Sequence, residues 1–118
     1  MSRHKGNQFE ELALDYLQRQ GLQLVARNYH ATRGEIDLIM QDKKTLSFIE
    51  VRYRKADDYG SAAESVDYRK QQHLIVSAQT FLQQNRQYDD WPCRFDVLAI
   101  SGTGGANIDW IKNAFELT

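Results

Sequence analysis

Apolar side chains near the start of the chain recur every three or four positions, at Phe9, Leu12, Ala13, Tyr16 and Leu17. That spacing predicts an amphipathic helix over Gly6–Gln20, terminated by Gly21. The period then shortens to two. Gln23–His30, Glu35–Gln41 and Thr45–Arg54 are rich in extended-chain formers and predict three strands, the last two joined as a hairpin through Asp42-Lys43-Lys44. Lys55–Ser65 turns polar and small and predicts a loop. Asp67 suits a helix N-cap, and Leu74, Ile75, Ala78, Phe81 and Leu82 form a second helical stripe that fades by Asn85. Beyond Pro92, Cys93–Ile100 and Asn107–Ile111 predict two strands either side of a glycine turn at Ser101–Gly105. The order α-β-β-β-α-β-β predicts an α/β fold with a central mixed five-stranded sheet flanked by helices.

The hairpin carries the chemistry. With Lys43 and Lys44 as its loop, Asp42 pairs with Thr45 and paired residue numbers sum to 87. Ile36 then faces Val51 and Leu38 faces Ile49 on one apolar side. On the other side Ile39 meets Phe48, Asp37 meets Glu50, and Glu35 meets Arg52. Directly opposed residues hold their Cβ atoms about 4.5–5.5 Å apart, where two ionised carboxylates repel unless a cation or a proton lies between them. A three-residue loop would instead put Asp37 and Glu50 on opposite faces. A second account of Glu50 makes it an ion-pair partner of Arg52 or Arg54 at a sheet edge. Against it, Phe48-Ile49-Glu50-Val51 sets the acid in an apolar strand, where an unpaired charge is costly.

At about 100° per residue, Glu10 falls on the inner side of the first helix, between Leu17 and Leu14, while Glu11 points to water. A third acid can therefore approach the hairpin pair, unless Glu10 merely snorkels at the edge of the stripe. In the second helix Gln71 extends the apolar stripe by one turn. Asp96, within Phe95-Asp96-Val97-Leu98, suits an anchor that accepts backbone hydrogen bonds.

Composition narrows the classes. The 118 residues suit one domain spanning 1–118, with 42% hydrophobic and 26% charged residues as in an ordinary globular chain. Apolar runs are too short for a bilayer span and the first thirty residues too polar for a signal peptide, so a protein without a membrane partner is expected. Cys93 is the one cysteine, which excludes an intrachain disulfide or a CxxC metal knuckle and suits the reducing cytoplasm. Fifteen basic residues against sixteen acidic give a net charge of −1, which counts against non-specific coating of DNA. Arg52, Arg54, Lys55, Arg69 and Lys70, with Tyr53 and Tyr68 interleaved, offer a local basic rim.

Gly6-Asn7-Gln8-Phe9-Glu10, Arg33-Gly34-Glu35-Ile36-Asp37-Leu38-Ile39, Phe48-Ile49-Glu50-Val51-Arg52-Tyr53-Arg54, Arg69-Lys70-Gln71 and Arg94-Phe95-Asp96-Val97 together resemble the YraN-like family of uncharacterised bacterial proteins. The resemblance runs nearly the whole chain. That family is itself similar to the restriction-endonuclease-like superfamily, the PD-(D/E)xK nucleases, and within it to Holliday junction resolvases. The resemblance implies a restriction-endonuclease-like fold, with Asp37, Glu50 and Arg52 at the catalytic positions. It implies Glu10, Asp37 and Glu50 as ligands of Mg²⁺ or Mn²⁺. It further implies DNA as partner, branched or recombination intermediates included, with Arg33, Arg54, Lys55, Arg69, Lys70 and Gln71 along the nucleic-acid path. A homodimer is a further expectation. In one respect the chain departs from the pattern: Arg52 stands where the family usually has lysine. Arginine keeps the phosphate-binding charge but does not give up its proton near neutral pH. The alternative expectation is therefore an endonuclease-like fold kept as a non-catalytic nucleic-acid or protein interaction module.

Overall fold

The structure, a computed structural model, describes residues 2–54, 66–102, 104 and 107–115, with side chains from residue 8 onward. The elements run α1 (Ser2–Arg19), β1 (Gln23–Ala31), β2 (Gly34–Asp42), β3 (Thr45–Tyr53), α2 (Tyr68–Gln84), β4 (Cys93–Ser101) and β5 (Asn107–Phe115). The first helix begins at Ser2 rather than Gly6, and the last strand runs on to Phe115 rather than ending at Ile111. Periodicity misses the first because Ser2–Lys5 adds no apolar residue, and the second because Lys112 and Asn113 interrupt the alternation before Ala114 and Phe115 resume it. Lys55 and the expected loop over 55–65 lie outside the described residues.

The sheet has the order β1-β2-β3-β4-β5. It is antiparallel except between β3 and β4, which pair in parallel, so the chain must cross over between them and α2 lies in that connection. This mixed α/β sheet with two helices is the expected fold and is consistent with a restriction-endonuclease-like one. Among the described residues no helix is long and apolar enough to cross a membrane.

Each helix closes one face. Ala13, Leu14 and Leu17 of α1 pack on Leu38, Met40, Ile49, Leu98 and Ile100. Leu74, Ile75, Ala78 and Phe81 of α2 pack on Ile36, Ile39, Leu46, Phe48, Phe95 and Val97. The central strands β3 and β4 are covered on both sides, which explains their nearly continuous apolar runs. Asp96 interrupts one of them and is only 1% exposed. It accepts from Ser47 Oγ at 2.7 Å, Arg94 Nε at 3.1 Å, Trp110 Nε1 at 3.1 Å and the Asn113 amide at 2.9 Å. Asn113 has φ 53° and sits where β5 bulges away from β4, between the pairs Phe95↔Phe115 and Val97↔Ile111. The expected backbone anchor is thus a buried hub that satisfies the bulge.

The hairpin register holds as expected, from Asp42↔Thr45 to Leu38↔Ile49, where every pair sums to 87. One expectation fails beyond that point. Ile36 joins the α2 core while Leu38 joins the α1 core, so they do not share a face as strict alternation requires. The same reversal occurs across the sheet. Arg27 pairs with Glu11 of α1 at 2.7 Å, yet Tyr29, two residues on, stacks edge-on against Phe81 of α2. Between them Asn28 adopts φ 52°, a left-handed conformation that asparagine tolerates better than most residues. The pairs Arg27↔Leu38 and Tyr29↔Ile36 put Asn28 opposite Asp37. Both strands therefore reverse their faces at one level of the sheet, and Asp37 stands at that level.

Candidate functional site

Past Leu38↔Ile49 the hairpin bond is taken over by a side chain. The Val51 amide donates to Asp37 Oδ2 at 2.8 Å. The carboxylate thereby caps the point where β2 and β3 part, and a cleft of about 500 Å³ opens there. It is lined by Phe9, Glu10, Glu35, Asp37, Glu50, Val51, Arg52, Tyr53 and Lys70.

Glu50, on the central strand β3, is only 5% exposed. Its Oε2 lies 3.2 Å from Arg52 Nε and 3.7 Å from Lys70 Nζ. The ion pair with Arg52 expected as one account of Glu50 is therefore present, and it coexists with the acid pair rather than replacing it. Lys70 reaches the site from the first turn of α2, whose geometry is fixed twice. Asp67 is the N-cap, its carboxylate accepting the Lys70 amide at 2.9 Å, and Gln71 Nε2 donates to the Val66 carbonyl at 3.0 Å.

Burial and the neighbouring Glu50 push the Asp37 carboxyl up to about 8, against the stabilising bond from Val51. Asp37 and Glu50 line the same cleft, and Glu50 is among the causes that hold the proton on Asp37. Glu10 is also raised, by burial first and by Glu35 next, while Arg27 and a hydrogen bond from Asn28 act the other way. Among the described residues nothing bonds to the buried Glu10 Oε1. Glu35 faces His30, with Oε2 3.3 Å from Nδ1. It does not sit across from Arg52 as strict pairing predicts, because the ladder ends before reaching it.

The cleft is lined by four acids and two bases, an imbalance that favours a cation within it. Carboxylate oxygens are the donors magnesium and manganese prefer. Asp37 and Glu50 form the converging pair, with Glu10 on the same wall. Among the described residues no three His, Cys, Asp or Glu side chains form a ready-made cage. An ion here would draw the rest of its shell from water or a phosphate, as magnesium usually does.

The other expected site residues spread outward. Arg33 is exposed in the β1–β2 turn, Arg69 is exposed beside Lys70, and Arg54 is half-buried just past β3, its amide bonded to the Ile100 carbonyl at 2.8 Å. Gln71 serves the helix start. Alternation puts Glu35 on the side of Asp37 and Glu50 without marking it as a site residue, and it does not mark Asn28, which stands opposite Asp37. The signals for them are Glu35 two residues before Asp37, and an asparagine amid extended-chain formers.

An α/β sheet flanked by helices, with two acids lining a cleft where β2 and β3 part, is the class that fold and site define. Within it, the chain belongs to the uncharacterised protein family UPF0102, the YraN-like family of the motif resemblance, whose pattern matches residues 9–100. It is 51% identical over 113 residues to the UPF0102 protein of Pseudomonas savastanoi pv. phaseolicola, covering 94% of this chain and 92% of the relative. Against that of Nitrosococcus oceani it is 50% identical over 116 residues, covering 98% and 94%. Asp37, Glu50, Arg52 and Lys70 all fall inside the matched span.

Proposed function

We propose that the cleft is a divalent-metal-dependent phosphodiester hydrolysis site acting on DNA, including branched repair and recombination intermediates. The observation that carries this reading is that Asp37 and Glu50 line one cleft together with Glu10 and Glu35, four acids against the two bases Arg52 and Lys70. Asp37 and Glu50, with Glu10 beside them, would hold Mg²⁺ or Mn²⁺. Such an ion, when bound, neutralises phosphate charge and lowers the pKa of water. Asp37 gives up the proton it carries near neutral pH when a cation takes that place. Arg52 and Lys70, both drawn to Glu50 Oε2, fix that carboxylate and supply positive charge to a phosphate entering the cleft. Arg33, Arg54 and Arg69, outside the cleft, would meet the phosphates of the bound strand.

A second reading rests on one observation. Arg52 occupies the position beside Glu50 where the family pattern has lysine, and a guanidinium does not exchange its proton in this pH range. A cleft that binds metal and DNA without cutting would follow. Incubating labelled branched and linear DNA with the protein in Mg²⁺ or Mn²⁺ separates the two. Cleavage that disappears in both Asp37→Asn and Glu50→Gln supports hydrolysis. Binding without cleavage, lost in the same variants, supports the second reading, and neither binding nor cleavage overturns both.

A further inference from the structure

The rim of the acid cleft carries an aromatic pair that metal chemistry does not use. Phe9 of α1 and Tyr53 at the end of β3 stack with ring centroids 4.5 Å apart and planes inclined by 24°. Phe9 is half-buried beneath, and Tyr53 stays 45% exposed on top. Both rings line the same cleft as Asp37 and Glu50, among neighbours that are mostly charged. A large ring left open to water beside carboxylates gains little from folding. Stacked on Phe9, the Tyr53 ring is held in place with nearly half of its surface open to a ligand.

We infer that the Phe9–Tyr53 stack is a platform for one unpaired nucleobase, so that the cleft takes DNA whose strand is open next to the bound phosphate. The inference rests on the phosphodiester reading of the cleft and adds the class of substrate to it. The physical reason is geometric. A base inside a duplex has both faces covered by its neighbours and cannot also lie on Tyr53, whereas a base in a single strand, flap or junction has a face to offer. Aromatic stacking accepts any base, so this platform selects strand structure and not sequence. Arg52, next along β3, keeps a cation within one residue of the platform to meet the phosphate.

Fluorescence anisotropy tests it, with Ca²⁺ replacing Mg²⁺ so that binding is read apart from turnover. The probes are a labelled single strand, the same strand with abasic sites, and its fully paired duplex. The wild type should bind the intact strand more tightly than the duplex, and abasic sites should weaken binding roughly 5- to 150-fold, the range of one lost base stack. Tyr53→Leu keeps an apolar contact with Phe9 but removes the π face. It should lose a similar factor on the intact strand and no longer distinguish it from the abasic one, while Tyr53→Phe behaves as wild type. Circular dichroism confirms that each variant is folded. Equal wild-type affinity for intact and abasic strands overturns the inference. So does a Tyr53→Leu loss that is the same on every probe, which would mark a packing effect. Binding that is equal for strand and duplex, untouched by Tyr53→Leu but lost in Asp37→Asn, removes the platform and leaves the phosphodiester reading standing. No binding to any probe removes both.

Discussion

The Val51 amide donates to Asp37 Oδ2 at 2.8 Å, so an acid side chain does the work of a backbone carbonyl where β2 and β3 separate. The bond commits Asp37 to two tasks: it caps a strand end, and it stands beside Glu50 in the cleft.

Substitutions at Asp37 should divide those tasks. Asp37→Asn keeps an oxygen for the Val51 amide and removes the charge facing Glu50. Asp37→Ala leaves the amide without its partner and should cost about 1–3 kcal/mol relative to Asp37→Asn. Chemical denaturation of the two variants at pH 7 measures the difference, and equal midpoints would mean the bond contributes nothing.

Stability should fall as pH rises through this site. Asp37 is raised from 3.8 to about 8 in the folded protein, so between those values the folded state holds a proton that the unfolded chain has released. The contribution is fully present below about pH 4, declines through the interval, and is gone above about pH 8. Melting temperatures measured across pH 4–9 should show this slope in the wild type and a flatter profile in Asp37→Asn, which near pH 9 should melt several degrees higher than wild type. Parallel profiles for the two proteins would mean the proton is held elsewhere.

A divalent cation should reverse the penalty. Mg²⁺ or Mn²⁺ at about a hundred times its dissociation constant should stabilise the fold by about 2.7 kcal/mol, since a ligand bound only by the folded state acts by mass action. Because the ion displaces a proton from Asp37, the effect should grow from pH 6 to pH 8. Thermal melts with and without metal test this, and Asp37→Asn should lose the rise. An equal rise in both proteins would put the ion at another site.

Arg52→Lys should raise DNA cleavage in Mg²⁺ by about tenfold or more while changing DNA affinity little, since the two side chains share a charge but differ in shape and acidity. Adding Glu50→Gln should remove the gain. Single-turnover rates alongside binding curves measure both. Vigorous cleavage by the wild type would show that Lys70, 3.7 Å from Glu50 Oε2, already supplies the missing ammonium.

Asp96→Ala should destabilise the fold by about 3–5 kcal/mol, because it leaves the Ser47, Trp110 and Asn113 donors unsatisfied together and takes from Arg94 one of its two carboxylate partners, Asp42 being the other. Urea unfolding measures it. A loss near that of an average surface substitution would mean the hub relaxes around the gap.

The element order and the hairpin register as far as Leu38↔Ile49 are legible in the chain, because each depends on residues close in sequence. Alternation marks a strand locally, a two-residue turn sets the pairing sum, and helical spacing turns Glu10 inward. The reversal at Asn28 and Asp37 is not legible in that way. Strict alternation carries Ile36 to the face of Leu38, and only the pairing of β1 with β2 brings a left-handed asparagine opposite the acid, so that both strands turn over together. The arrival of Lys70 at Glu50 is likewise a tertiary event, set by a helix that starts fifteen residues past the strand and held by Asp67 and Gln71. Sequence by itself determined which residues bear charge and how each segment is patterned, since propensity and period act over a few neighbouring residues. Tertiary structure alone decided which charges share a cleft, because the desolvation and Coulomb forces that raise Asp37 exist only once distant segments are packed within a few ångströms of one another.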